Sequence, residues 1–125
     1  MRANDLLNLM IERDASDLHI KVGSPPGLRI HGILAPIEKN MSPLTPMDTE
    51  RFVDEITTDE QKEMFKNKGE LDFAYSVPGL ARFRVNIFRQ RGSVGAVLRA
   101  IPIKIMTIKE LDLPPIVSEL AMKPR

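Results

Sequence analysis

The sequence has no cysteine and no tryptophan, one tyrosine and only two histidines among its 125 residues. The absence of cysteine excludes thiol catalysis, disulfide bonds and cysteine-based metal sites. The two histidines, His19 and His31, fall in strand and turn patterns that are typical of solvent-exposed side chains, and any metal cage would need mostly carboxylates. We therefore predict no metal site.

Long hydrophobic runs are also absent. No stretch approaches the roughly 20 apolar residues that a membrane-spanning helix requires. The first residues include Asp5 and Glu12, where a secretory signal would carry an uninterrupted apolar segment. We therefore expect the protein to reside in the cytoplasm.

Catalytic motifs are missing as well. The sequence has no G-x-x-x-x-G-K-[ST] loop of the kind that holds nucleotide phosphates. No segment combines a nucleophile, its base and an orienting group, and isolated strand carboxylates such as Asp17 and Asp72 are usually solvated. The length fits one domain, for which we predict no catalytic residue and no enzymatic activity.

Charge is balanced overall, with a net charge of +1, but it is unevenly distributed along the chain. Residues 48–72 hold nine acidic and four basic side chains, whereas residues 73–109 hold seven basic and no acidic ones. Five of those seven are arginines, whose planar guanidinium binds phosphate or carboxylate through paired hydrogen bonds. The second segment therefore predicts an anionic partner.

Hydrophobic periodicity and capping residues predict an α+β domain. Three helices are expected, one at 4–13 and two short acidic ones within 47–67. Strands with alternating apolar and polar residues are expected at 16–22, 28–30, 33–37, 70–76, 81–88 and 94–101. The proline-punctuated remainder predicts a linker over 102–114 and a helix over 115–122.

The last two predicted strands carry five arginines on and around them and are expected to form a hairpin. Alternation places apolar residues on the core face of both strands and arginines on the outer face. A two-residue turn at Arg91-Gly92 sets Arg84 opposite Arg99, and a slip of two residues would pair Arg82 with Arg99 instead. Because like charges that face each other across strands destabilise a sheet, either register invites a counter-ion.

Several partners would balance this arginine patch. The acidic helices could pair with it internally, in which case the arginines are ordinary surface residues. A nucleic acid is disfavoured, because single-strand binders interleave aromatic and basic side chains, and here only Phe88 shares the arginine face. A phosphate-bearing ligand or an acidic protein surface is the remaining alternative to internal pairing.

Five segments resemble the secretion and pilus ATPase family. ASDLHI at 15–20 resembles its A-S-D-[LI]-H signature, and LRIHG at 28–32 resembles its L/I-R-x-D/H-G turn. VPGLARFRVN at 77–86 and VLRAIP at 97–102 are similar to segments of the type IV pilus retraction ATPases, and TIKEL at 107–111 fits their T-x-x-E-L motif. The resemblance covers essentially the whole chain.

This resemblance implies a fold and a domain organisation. The fold is a PAS-like α+β domain, with an antiparallel sheet of about six strands and helices packed on it. Residues 1–101 would form that domain, and residues 102–125 a linker and C-terminal helix leading to an absent RecA-like ATPase domain. The chain would then be the regulatory, nucleotide-sensing and subunit-packing domain of a hexameric motor that retracts type IV pili in twitching motility.

The resemblance also implies roles for particular residues. Arg84 and Arg99 match two arginines, one on each neighbouring strand, that family members move toward the nucleotide phosphates. Asp17 and His19 belong to the family signature and are expected to be structural. Three further basic side chains are candidates for contact with nucleotide or the adjacent subunit: Arg82, Arg89 and Arg91.

The implied ligands of the full-length ATPase are ATP and Mg²⁺, with none expected on this fragment alone. Its implied partners are the RecA-like domains of the same and adjacent subunits of a homohexamer and the inner-membrane pilus platform protein, but no nucleic acid. The implied location is the cytoplasmic face of the cytoplasmic membrane at the pilus base.

Two alternatives stay open beside this interpretation. The chain could belong to a related pilus-extension or type II secretion ATPase, although its short front end favours retraction. It could also be a free-standing PAS-like module that binds a small ligand or a partner. Such a module would place polar groups in its interior, whereas the predicted inward positions are apolar.

Overall fold

A computed structural model describes residues 2–101 of the protein. Three helices are present, α1 (Ala3–Glu12), α2 (Pro46–Ile56) and α3 (Asp59–Lys68). The six strands are β1 (Asp17–Ile20), β2 (Gly27–Ile30), β3 (Ile33–Pro36), β4 (Glu70–Val77), β5 (Ala81–Gln90) and β6 (Ser93–Ile101). The expected linker at 102–114 and helix at 115–122 lie outside the described residues.

The six strands form one antiparallel sheet in the order β3-β2-β1-β6-β5-β4. Two groups of three neighbouring strands, β1 to β3 and β4 to β6, join where β1 pairs with β6 at the centre of the sheet. The α+β class with a six-stranded antiparallel sheet and packed helices is therefore confirmed.

The hairpin of β5 and β6 has the register that the sequence predicts. Val85 pairs with Leu98 and Arg84 with Arg99, around a two-residue turn in which Arg91 and Gly92 have φ values of 54° and 80°. Positive φ at both turn positions matches the right-handed twist of the flanking strands.

The core lies between the helices and one face of the sheet. Alternate residues of the central strands point into it, and Leu18, Phe83, Val85 and Leu98 are completely buried there. Helix α1 contributes fully buried Leu7, and α2 and α3 contribute further apolar side chains. The opposite face of the sheet is left free of helices in the described part of the chain.

Both acidic helices begin at the capping residues that the sequence indicates. Thr45 and Thr58 each form a capping box, in which the threonine hydroxyl accepts from the amide three residues later. Helix α3 ends at Gly69, whose φ of 77° suits the left-handed position after a helix.

The first strand is shorter than predicted. Regular pairing of β1 stops at Ile20 rather than continuing to residue 22, and Val22 makes only an isolated parallel bridge with Leu44. Gly23 follows at a φ of 89° and the two prolines at 25 and 26 supply no amide donors, so the chain leaves the sheet there.

Replacing Phe83 by Ala should lower the free energy of unfolding by about 3–5 kcal/mol, because it opens a cavity at a fully buried position. Urea denaturation followed by circular dichroism measures this loss. The matched control is Ile33→Ala at the edge strand, where the residue is 71% exposed, and it should change the free energy by less than about 0.5 kcal/mol. Equal losses for the two variants would contradict this core.

Candidate functional site

A line of charged side chains crosses the outer face of the sheet, away from the helices. The register pairs Arg29 with Asp17, Asp17 with Arg99, and Arg99 with Arg84. Directly paired residues of neighbouring strands point to the same face of a sheet. These four side chains, which we call the charged row, therefore run across β2, β1, β6 and β5, with one negative charge among three positive ones.

Asp17 is the only buried charged residue of the row. Its side chain is 7% exposed, whereas that of Arg99 is 73% exposed. Arg99 donates from Nε to Asp17 Oδ1 at 3.0 Å, and Ser16 donates from Oγ to Asp17 Oδ2 at 2.9 Å. The Nε of Arg29 lies 3.6 Å from the same Oδ2. Asp17 thus links the two strands that flank β1.

The surroundings of Asp17 keep it ionised. Burial by itself raises the pKa of its carboxyl, but the hydrogen bonds from Arg99 and Ser16 and the positive charge of Arg99 outweigh burial, so that the pKa lies below its ordinary value. The expectation that strand carboxylates are solvated is wrong for Asp17, because its strand lies at the centre of the sheet rather than at an edge.

Arg84 and Arg99 lie directly opposite each other with both side chains exposed, as predicted. Asp17 forms an ion pair with Arg99, whereas no ion pair within residues 2–101 involves Arg84. The alternative in which the acidic helices neutralise these arginines is not what the structure shows, because α2 and α3 pack against the opposite face. Arg82 is exposed beside Arg84, where both line an open depression of about 230 Å³.

The other two arginine candidates lie elsewhere. Arg89 pairs with Val94 on the helix side of the hairpin, and its guanidinium carbon lies 5.0 Å from the ring centre of Phe65 in α3. This geometry is a cation–π contact that fixes the end of β5 to the helix. Arg91 occupies the hairpin turn. The structure therefore groups Arg82 with Arg84 and Arg99 but separates Arg89 from them by the sheet itself.

His19 is half-buried on the outer face of β1, two residues after Asp17. Burial and the nearby Arg29 guanidinium lower the pKa of its imidazole, while the Asp17 carboxylate partly opposes them. His19 is therefore less solvated than a strand position suggests, and its cationic form is disfavoured. Within residues 2–101, no three acidic or histidine side chains converge on a metal site.

The sequence alone does not reveal that Asp17 is the partner of Arg99. Asp17 and Arg99 are 82 residues apart, and only the pairing of β1 with β6 brings them together. The sequence did place Asp17 on the polar side of β1. It did not indicate that β6 would be the strand beside β1, because the residues of β1 do not determine which strand pairs with it.

The geometry suits recognition of a polyanion. Two exposed guanidiniums on adjacent strands offer several N–H donors in fixed directions to one phosphate group.

A groove of about 330 Å³ on the helix side is lined by charged and apolar residues alike, among them Asp48, Arg51 and Phe52. That groove has no cluster of like charges for an anion. No helix in the described part of the chain is long and apolar enough to cross a bilayer.

Comparison with known sequences finds relatives among pilus ATPases, while no protein-family model matches. The chain is 41% identical over all its 125 residues to the type IV pilus ATPase PilU of Pseudomonas aeruginosa, covering 32% of that protein. It is 38% identical, again over its whole length, to the type IV pilus retraction ATPase PilT of the same organism, covering 36% of it. The chain thus spans about a third of the length of these relatives.

Comparison with solved structures gives the same result. The crystal structure of the pilus retraction motor PilT with bound ADP matches 91% of this chain and 33% of its own, with a TM-score of 0.77 and 36% sequence identity. The matched part is the amino-terminal domain of PilT. Sequence and fold therefore agree on one group of relatives.

Acid should remove the contribution of Asp17 to stability. Because the pKa of Asp17 is lower in the folded chain than in the unfolded one, its contribution is complete above the unfolded value of about 3.9 and is lost as pH falls through the folded value. Asp17→Asn should therefore cost about 1–2 kcal/mol at pH 7, and the cost should shrink toward pH 3. Urea unfolding of both proteins across this range measures it, and a cost that is independent of pH would contradict the ion pair.

Proposed function

We propose that this chain, which is similar to the pilus ATPases PilT and PilU, is the nucleotide-sensing and subunit-packing domain of an ATP-hydrolysing motor that retracts type IV pili. Within that motor the domain would regulate the enzyme rather than catalyse. Residues 102–125 would connect it to a RecA-like ATPase domain. The proposal is supported by homology over the whole chain and by the chemistry of the charged row.

The observation that carries the proposal is the pairing of Arg84 with Arg99 on the free face of the sheet. Two like charges placed side by side repel each other, which costs up to about 1 kcal/mol in a sheet. An arriving phosphate group removes this repulsion and accepts charge-assisted hydrogen bonds from both guanidiniums. The pair is therefore better suited to a triphosphate than to a single carboxylate.

The two arginines would act by closing the domain onto nucleotide held elsewhere in the motor. With ATP as substrate on the RecA-like domain of the same or an adjacent subunit, Arg84 and Arg99 would bind its phosphates and draw the domains together. Hydrolysis and phosphate release would weaken this grip, and the domains would separate. Alternation of the two states around a homohexameric ring would supply the motion.

The partners and location follow from the same proposal. Arg84 and Arg99 would contact the phosphates, and we assign Mg²⁺ binding to the ATPase domain. The motor would work in the cytoplasm, at the inner face of the cytoplasmic membrane, and would act on the platform protein at the pilus base. A pilus motor is favoured over a secretion motor because both of the relatives described above are type IV pilus ATPases, and retraction is favoured because PilT is a retraction ATPase.

Removing either arginine should impair the motor without unfolding the domain. In the full-length protein, Arg84→Ala and Arg99→Ala should each lower the ATPase rate by at least about tenfold, because each removes a charged donor to the phosphates. A coupled assay of phosphate release measures the rate. Arg51→Ala removes an exposed charge from α2 on the helix side and should leave the rate unchanged. Normal turnover in both arginine variants would contradict the proposal.

The 125-residue chain alone should not hydrolyse ATP. It has no phosphate-binding loop, and two exposed arginines in water give only feeble affinity for a nucleotide. Phosphate release by the purified chain and calorimetric titration with ATP measure these two properties. Hydrolysis that co-purifies with the chain and is abolished by Arg84→Ala would show that the domain is itself catalytic, against this prediction.

A further inference from the structure

The contact between Asp17 and Arg99 uses one particular nitrogen of the guanidinium. Asp17 Oδ1 accepts from Nε, the nitrogen nearest to the backbone. A guanidinium has five N–H donors, four of which are on its two terminal nitrogens. Within residues 2–101 those two nitrogens make no other hydrogen bond or ion pair, and the side chain is 73% exposed. The carboxylate thus holds Arg99 without occupying the end that would bind an anion.

Asp17 is itself held in place. Its other oxygen accepts from Ser16 and lies near the Nε of Arg29, and Arg29 in turn donates from Nη1 to the carbonyl of Gly32 at 3.0 Å. The aspartate has a short side chain on a central strand and is almost fully buried. It is therefore a fixed point against which a long, flexible arginine can be oriented.

Orientation matters because a free arginine side chain loses much rotational entropy when it binds a ligand. A side chain that is already held loses less, and the saving appears as tighter binding or faster closure. Asp17 also neutralises part of the positive charge at Arg99, which lowers, without removing, its repulsion from Arg84 in the absence of an anion.

We propose that Asp17 is a positioning residue, which holds Arg99 by Nε so that its terminal nitrogens are directed, beside Arg84, to the same phosphate group. The inference rests on the proposed function of the two arginines and goes beyond it by giving the signature aspartate a role in the motor rather than in the fold alone. Arg29 and Ser16 support Asp17 from the opposite side.

The first test compares two identical substitutions in the full-length protein. Asp17→Asn should lower kcat/KM for ATP by about tenfold, because a misdirected donor costs this much even when the fold is intact. Asp14→Asn is the matched control, since it removes the same charge three residues away at a position with a φ of 56° that asparagine tolerates. The control should stay within about twofold of the wild type, and equal effects of the two variants would overturn the inference.

A double-mutant cycle separates positioning from a general structural effect. If Asp17 acts through Arg99, Asp17→Asn should cause no further loss in the Arg99→Ala protein. A purely structural aspartate would lower kcat/KM by the same factor in the wild-type and Arg99→Ala backgrounds, and that result would overturn the inference. Full activity of both Arg84→Ala and Arg99→Ala would instead contradict the proposed function itself. That result is distinct from a failure of the positioning role, which requires an active role for Arg99.

Arg99→Lys is a second test, at a side chain that is 73% exposed and can be replaced without opening a cavity in the core. Lysine keeps the positive charge but has a single nitrogen, which cannot bond to Asp17 and point to a phosphate in the same geometry. It should therefore be nearly as impaired as Arg99→Ala. Wild-type turnover by this variant would show that charge alone suffices and would overturn the inference.

A direct readout is available on the 125-residue chain. In a ¹⁵N-labelled sample, the Nε–H signal of Arg99 should be separated from those of other arginines and exchange slowly with water, because it is bonded to a carboxylate. Asp17→Asn should move it toward the unbonded arginine signals, whereas Asp14→Asn should not. An Nε–H signal that is unchanged in Asp17→Asn would contradict the proposed contact.

Discussion

The pairing of β1 with β6 is the contact on which the rest of the molecule depends. It joins the strands of the first 36 residues to those that follow α3, and it makes one continuous sheet of two three-stranded groups. The same pairing places Asp17 beside Arg99, although the two are 82 residues apart in the chain. Without it the fold would lose its centre, and Arg99 would face only another arginine.

Strand alternation lets one sheet carry a packed core on one face and exposed arginines on the other. On β5 and β6 the residues that fill the core alternate with Arg82, Arg84 and Arg99 on the outer face, so these arginines do not restrict the packing of the core. Phe83, Val85 and Leu98 are completely buried, while their neighbours Arg84 and Arg99 reach solvent. Substitutions of Arg84 and Arg99 can therefore change the charge of the outer face with little effect on the packing of the core.

Local signals in the sequence predicted much of this arrangement. Capping threonines marked the acidic helices. The alternation of apolar residues allowed two registers of the hairpin, and the two-residue turn at Arg91-Gly92 predicted the observed one, in which Arg84 opposes Arg99. The order of the strands could not be derived in this way, because which strands become neighbours depends on contacts between distant segments. The burial of Asp17 follows from that order and was not predicted. The separation of Arg89 from the patch follows from alternation, because the odd-numbered residues of β5 face the helices.

The helices and the charged row lie on opposite faces of the sheet, and their charges are opposite too. Helices α2 and α3 carry seven acidic and four basic side chains, whereas the exposed row carries three arginines around one aspartate. The sign of the local charge therefore changes across the sheet at the charged row, while Glu70 and Asp72 add negative charge to the outer face at β4. An anion that approached the charged row would be attracted before any hydrogen bond could form, whereas the acidic helices would repel it.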